Sequence, residues 1–114
     1  MAEPLHVIVL AAGEGKRMKS MLPKVLMPLA GRPMLAHVLD TARALHPEGL
    51  HVVYGHRGEQ VRTTFARDTD IHWVHQSEQR GTGHAVKLAL QDIPDPSRIL
   101  VQTVEVVLFG RGAR

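Results

Sequence analysis

The apolar hexapeptide Leu5-His6-Val7-Ile8-Val9-Leu10 runs directly into Ala11-Ala12-Gly13-Glu14-Gly15-Lys16-Arg17-Met18, and this junction restricts the fold more than any other stretch. A short apolar run bounded by small residues reads as a strand buried on both faces, the kind found in parallel sheets covered by helices. The alanines and glycines that follow let main chain come close to a ligand, because little or no side chain stands in the way. Arg17 and Lys24 then bring two fixed cations. Loop N–H groups combined with such cations suit a polyphosphate. In an open α/β sheet the ligand sits at the carboxyl ends of the strands, where this loop falls.

The rest of the chain alternates helix-like and strand-like segments. Pro33 is placed to open a helix with the apolar stripe Leu35, Val38, Leu39, Ala42 and Leu45, stopped by Pro47 and Gly49. Leu50–Tyr54 reads as a second strand, residues 55–58 as a turn, and residues 59–66 as a short helix turning Val61 and Phe65 inward. Ile71–His75 reads as a third strand with apolar residues on more than one face. Gly81-Thr82-Gly83 opens another helix, with Thr82 a candidate N-cap and Ala85, Val86, Leu88, Ala89 and Leu90 its apolar side. Pro94 and Pro96 break it, and Ile99-Leu100-Val101 begins a fourth strand. Helices between consecutive strands require parallel pairing through right-handed crossovers. The expected fold is an α/β, Rossmann-like open parallel sheet with helices on both faces, and 114 residues allow one domain at most.

Composition removes several function classes. The only aromatic residues are Tyr54, Phe65, Trp73 and Phe109, too few for a base-stacking platform that binds nucleic acid. The net charge of +3 is mild and the basic residues are scattered, which favours phosphate-bearing small molecules over DNA or RNA. Without cysteine there is no disulfide framework, thiolate nucleophile or zinc–cysteine site. The amino end carries Glu3 and His6 and only a short apolar run, so neither a secretory signal nor a membrane span is expected; the cytoplasm is the expected location.

The loop is not a Walker P-loop, since Arg17 follows Gly15-Lys16 where Ser or Thr is required; nor is it a dinucleotide fingerprint, since Met18 replaces the third glycine. Its bland alternative is an ordinary strand-to-helix turn with solvated cations. A second candidate is Gln76-Ser77-Glu78-Gln79-Arg80-Gly81-Thr82-Gly83-His84, expected at the carboxyl end of the third strand on the same sheet edge. The Gln76 amide offers both a donor and an acceptor to a nucleobase edge, while N–H groups after Gly81 and the Thr82 hydroxyl can reach ribose or base oxygens. Its alternative is plain helix initiation. Of the eight histidines, His72 and His75 fall on opposite faces of a strand, His51 and His56 lack a partner at helical ligand spacing, and His84 stands alone, so a histidine-bound metal is not expected. Asp40, Asp68, Asp70, Asp92 and Asp95 read as surface or turn residues.

Leu10-Ala11-Ala12-Gly13-x-Gly15-x-Arg17-Met18, followed by Leu22-Pro23-Lys24-Val25-Leu26 and Leu29-Ala30-Gly31-Arg32-Pro33-Met34, resembles the signature of sugar-nucleotide pyrophosphorylases. Val53-Tyr54-Gly55-His56 and Gln76-x-x-Gln79-x-Gly81-Thr82-Gly83-His84-Ala85 extend that likeness to bacterial bifunctional uridyltransferase/acetyltransferases, over roughly residues 5 to 101. The resemblance implies a nucleotide-diphospho-sugar transferase fold and formation of UDP-N-acetylglucosamine and pyrophosphate from UTP and N-acetylglucosamine 1-phosphate, with Mg²⁺, on the route to the bacterial cell wall. It implies that Leu10, Ala11, Ala12 and Gly13 line the nucleotide. Arg17 would hold the triphosphate and stabilise departing pyrophosphate, and Lys24 would bind the nucleotide and neutralise charge on the α-phosphate. Gln76, Gly81 and Thr82 would select uracil and hold its ribose.

Residues 1–101 would be the nucleotide-binding part of the pyrophosphorylase domain, and 102–114 a divergent tail. Where the family carries Tyr-Gly-Asp, whose Asp binds metal, this chain has Thr103-Val104-Glu105, making Glu105 the candidate metal ligand. The family's sugar-binding half and acetyltransferase domain have no counterpart among these residues. Weak or absent turnover by this chain is therefore expected. A nucleotidyltransferase of other base specificity and a non-catalytic nucleotide-binding module remain alternatives.

Overall fold

The computed structural model describes residues 3–11, 24–55, 58–77 and 80–104. Six strands and three helices follow one another as β1 (Leu5–Leu10), β2 (Pro28–Leu29), β3 (Arg32–Pro33), α1 (Met34–Arg43), β4 (Gly49–Tyr54), α2 (Glu59–Thr64), β5 (Ile71–His75), α3 (Thr82–Leu90) and β6 (Arg98–Thr103), with a 3-10 turn at Lys24–Leu26. β1, β4, β5 and β6 form one sheet in the order β5-β4-β1-β6, and every pairing in it is parallel. The expected open parallel sheet is therefore present.

Alternation along the strands divides the core. Val7 and Val9 of β1, Leu50 and Val52 of β4 and Ile71 of β5 share one face with Leu35, Leu39 and Ala42 of α1 and with Val61 and Phe65 around α2. Ile8, Val53 and Val74 point to the other face, under Ala85 and Ala89 of α3. Helices thus lie on both faces. The reason is topological: the chain moves from β1 to β4 to β5 in one direction and returns past them to β6 in the other. Right-handed crossovers in opposite directions put their helices on opposite sides. Alanine at positions 85 and 89 lets α3 sit close over the sheet.

Several local expectations are corrected. Pro33 is the residue before α1 rather than its first, with ψ of 146° and a place in β3. α1 ends at Arg43, so Leu45 falls outside the buried stripe and is exposed. His46, at φ 53°, takes the left-handed position that turns the chain, and Gly49 begins β4 instead of stopping the helix. Leu90 ends α3 and is exposed, because Ala85 and Ala89 define the inward stripe. β6 begins one residue early, at Arg98, and runs through Thr103. The tail expected from 102 thus starts inside β6, and 105–114 lie outside the described residues.

Candidate nucleotide-binding edge

The four parallel strands end together at one edge. Leu10 is in register with Val53 and Thr103, and Tyr54 with His75. The residues just past the strands continue the ladder: Ala11 N–H donates to Val53 O (2.8 Å) and Gln76 N–H to Tyr54 O (2.8 Å). Leu10 is level with Val53 and Val74, so Gln76 lies one residue further along the edge than Ala11 and two strands away, about 10 Å at ordinary strand spacing. β1 is also where strand order reverses, the crevice in which open α/β sheets take their ligands. The structure brings Leu10, Ala11, Gln76, Gly81 and Thr82 to this edge.

The 3-10 turn that begins at Lys24 is held from below. Val25 and Leu26 are buried in the α1-side core, and Met34 N–H donates to Met27 O (2.9 Å) at the start of α1. The β2–β3 hairpin that follows is tied to α1 by His37 Nε2, which donates to Leu29 O (2.6 Å). The main chain at Lys24 is thus anchored by apolar burial at the next two positions. Ala12, Gly13, Arg17 and Glu105 lie outside the described residues, as does the Lys24 side chain.

At the other end of the edge, Gln76 is buried and its side-chain Nε2 lies 3.3 Å from Gly81 O and 3.1 Å from His84 Nδ1. Gly81, at φ 92°, is the residue before α3. An L side chain would be strained there, and glycine is not. Thr82 is the first helical residue and is exposed, so the N-cap expected at Thr82 is corrected to Gly81, with no side-chain capping bond. His84 is likewise not isolated: sequence order hid its contact with Gln76, eight residues upstream. The signal was the shared motif, since a histidine three residues past a helix N-cap faces back towards the strand the helix follows.

The opposite edge of the sheet is built differently. His6, His51 and His72 lie on adjacent strands on the α3 face, with His6 Nδ1 3.0 Å from His51 Nε2 and the His51 and His72 ring centroids 5.2 Å apart. His72 Nε2 donates to Asp92 Oδ2 (3.1 Å). His51 therefore has ring partners, which helical spacing could not reveal. His6 and His51 are buried, and His6 Nε2 and His51 Nδ1 have no hydrogen-bond partner. If both rings are neutral, one donates to the other; either way a buried N–H and a buried lone pair remain unmatched. Burial, with His72 and His6 alongside, pushes His51 down to about 4. Arg43, at the end of α1, donates to Asp68 (2.8 Å) and to both oxygens of Asp70 (2.8 and 2.9 Å). Those hydrogen bonds hold Asp70 below the usual carboxylate range and Arg43 above the usual guanidinium one. Asp40 is likewise paired with Arg32 (2.6 Å). Among the described residues, no group of three or more histidine, aspartate or glutamate side chains is arranged to hold a metal ion, and no helix is long and apolar enough to cross a membrane.

A parallel sheet with this strand order, reversing at β1 and covered by helices on both faces, defines a doubly wound α/β protein. Residues 7–110 match the MobA-like NTP transferase domain, and the chain belongs to that family. It is 64% identical over 106 residues to the bifunctional protein GlmU of Xylella fastidiosa (strain M12), covering 93% of this chain and 23% of that protein. The chain thus spans about a quarter of the length of the curated relatives it matches. Among solved structures it is similar to Rv0371c of Mycobacterium tuberculosis, at 30% identity and a TM-score of 0.71 over 90% of this chain and 53% of the other. The same mycobacterial protein has been solved in complex with manganese and is similar at 28% identity and a TM-score of 0.67, over 90% of this chain and 51% of that one.

Proposed function

We propose that this chain is the nucleotide-binding part of a uridylyltransferase that joins UTP and N-acetylglucosamine 1-phosphate into UDP-N-acetylglucosamine, releasing pyrophosphate. The observation that carries the reading is the placement of Ala11 and the buried Gln76 on the same carboxyl edge of the sheet, in a chain of the NTP transferase family. Similarity to GlmU supports the choice of uridine and of the aminosugar phosphate. The expected setting is the cytoplasm, on the route to cell-wall precursors.

In this reading Leu10, Ala11, Ala12 and Gly13 line the nucleotide, and Gln76, Gly81 and Thr82 receive uracil and ribose. Arg17 holds the triphosphate. A phosphate oxygen of the sugar 1-phosphate attacks the α-phosphorus in line; a new P–O bond forms as the α–β bridging bond breaks, and the electron pair leaves with pyrophosphate. Lys24 offsets charge growing on the α-phosphate and Arg17 charge on the departing group. Little covalent help is needed, since positioning and preorganised charge supply most of the acceleration. Glu105 and the phosphate oxygens are hard donors that suit Mg²⁺, and the bound ion would supply further charge neutralisation. The manganese complex of Rv0371c supports divalent-ion use in this fold.

With Glu105 in place of aspartate, this chain is proposed to bind nucleotide with weak or absent turnover. Titration calorimetry with UTP and Mg²⁺ is the test: heat of binding is expected from the wild-type chain and its loss from Arg17→Glu. Identical behaviour of the two overturns the reading. Rapid pyrophosphate release on adding N-acetylglucosamine 1-phosphate overturns the expectation of weak turnover.

A further inference from the structure

β4 carries both flanks of the candidate site on its last two carbonyl groups. Val53 O accepts from Ala11 N–H (2.8 Å) and Tyr54 O from Gln76 N–H (2.8 Å). Where the end of β4 lies therefore sets where Ala11 stands relative to Gln76. That end is held by α2. Tyr54 is buried, its ring centroid 5.8 Å from that of Trp73 and 5.0 Å from that of His75, and Arg62 Nη1 of α2 donates to its hydroxyl (3.2 Å).

Gly58, the residue before α2, donates its N–H to Gly55 O (2.7 Å). Its φ of −90° and ψ of 2° are those of an ordinary turn residue, so conformation alone does not call for glycine. Space does. A Cβ at 58 would stand 2.6 Å from Gly55 O, 2.8 Å from Tyr54 Cδ2 and 3.0 Å from Gly55 N. Two of those three are main-chain atoms, which have no alternative rotamer to move into. Only a residue without a side chain lets the start of α2 close down on the end of β4.

We propose that Gly58 is a positioning residue of the nucleotide edge: by seating α2 against Tyr54 and Gly55, it fixes the two carbonyl groups that hold Ala11 and Gln76. The inference rests on the reading above, in which Ala11 and Gln76 face the nucleotide. A side chain at 58 pushes the end of β4 out of place and moves both flanks of the site with it, while the rest of the sheet persists. Gly49, at the other end of β4, provides the comparison. A Cβ there would come equally close, 2.6 Å, but to the His6 side chain and the length of β4 away, about 16 Å at ordinary strand rise.

The experiment measures thermal unfolding and Kd for UTP with Mg²⁺, using the full 114-residue chain as wild type, Gly58→Ala and Gly49→Ala. Both variants are expected to melt below the wild type. Gly58→Ala is expected to lose UTP affinity about tenfold, because small displacements of positioned groups are costly, and Gly49→Ala to stay within about twofold. Without nucleotide, the amide ¹H–¹⁵N signals of Ala11 and Gln76 are expected to move in Gly58→Ala and to stay in Gly49→Ala. Equal affinity losses in the two variants, no loss in Gly58→Ala, or unmoved Ala11 and Gln76 signals overturn the role of Gly58 and leave the uridine reading standing. No binding by the wild type overturns both. The wild type also supplies a test that needs no variant: UTP is expected to shift the Gly58 amide signal along with those of Ala11 and Gln76, leaving Gly49 in place. A Gly58 signal that stays still overturns the proposal even if Gly58→Ala fails to fold.

Discussion

β1 and β6 are paired residue for residue and carry similar apolar triplets, yet they live in different surroundings. Val7, Ile8 and Val9 are 0% exposed, whereas Ile99, Leu100 and Val101 keep 38%, 39% and 40% of their surface. Register sets Val101 beside Ile8 and Leu100 beside Val7, so the pairing itself does not separate them. The difference is the second layer. α1 covers one face of β1 and α3 the other, while Ile99 and Val101 on one side of β6 and Leu100 on the other have no such cover among the described residues. Strand formation needs hydrogen bonds to one neighbour; burial needs helices above and below. An exposed apolar edge of this kind is a feature that folded proteins usually protect.

The sharpest way to break the contrast is to truncate one leucine on each side of it. Leu39→Ala, in the covered half, is expected to lower unfolding free energy by about 2–5 kcal/mol in urea titration, and Leu100→Ala by less than about 1 kcal/mol. Comparable losses would mean that β6 is covered in solution.

Acid should act on the covered half through His51. Its native pKa of about 4 lies below the ordinary 6.5, so between those values the unfolded chain binds the proton that the native state refuses. Stability therefore rises with pH across this window and is lost as pH falls through it, by on the order of 3 kcal/mol. The check is a series of denaturation midpoints from pH 7 to pH 4. His51→Leu is expected to flatten the slope over that window.

A smaller effect should follow at the same edge from Gly49→Ala, because a Cβ there would stand 2.6 Å from His6 Nδ1 and 2.9 Å from His51 Nε2. Displacing two buried imidazoles is expected to destabilise by about 1–3 kcal/mol, read from thermal unfolding. The smallest expected loss is from Arg43→Ala, which unties α1 from Asp68 and Asp70: about 1 kcal/mol or less, shrinking further in high salt.

Much of this arrangement was legible before any coordinates. Strands β1, β4 and β5, a sheet with helices on both faces, and the carboxyl-edge positions of Ala11 and Gln76 all follow from apolar runs and from glycine and proline punctuation. Leu45 and Leu90 were misplaced because helical periodicity continues past the point where a helix stops, and only the turn at His46 or the line of Ala85 and Ala89 reveals the limit. The His6–His51–His72 row was hidden for another reason. Those residues are far apart in sequence and become neighbours only through strand register.

Chain order and residue type on their own were enough to specify a parallel α/β sheet with a small-residue loop after its first strand, because alternation and turn chemistry act over a few residues. Tertiary structure alone decided which apolar strand is covered, which histidines meet, and what the buried Gln76 amide touches. Those outcomes depend on contacts between segments that share no local pattern, such as the Gly81 carbonyl and the His84 ring closing on one buried amide.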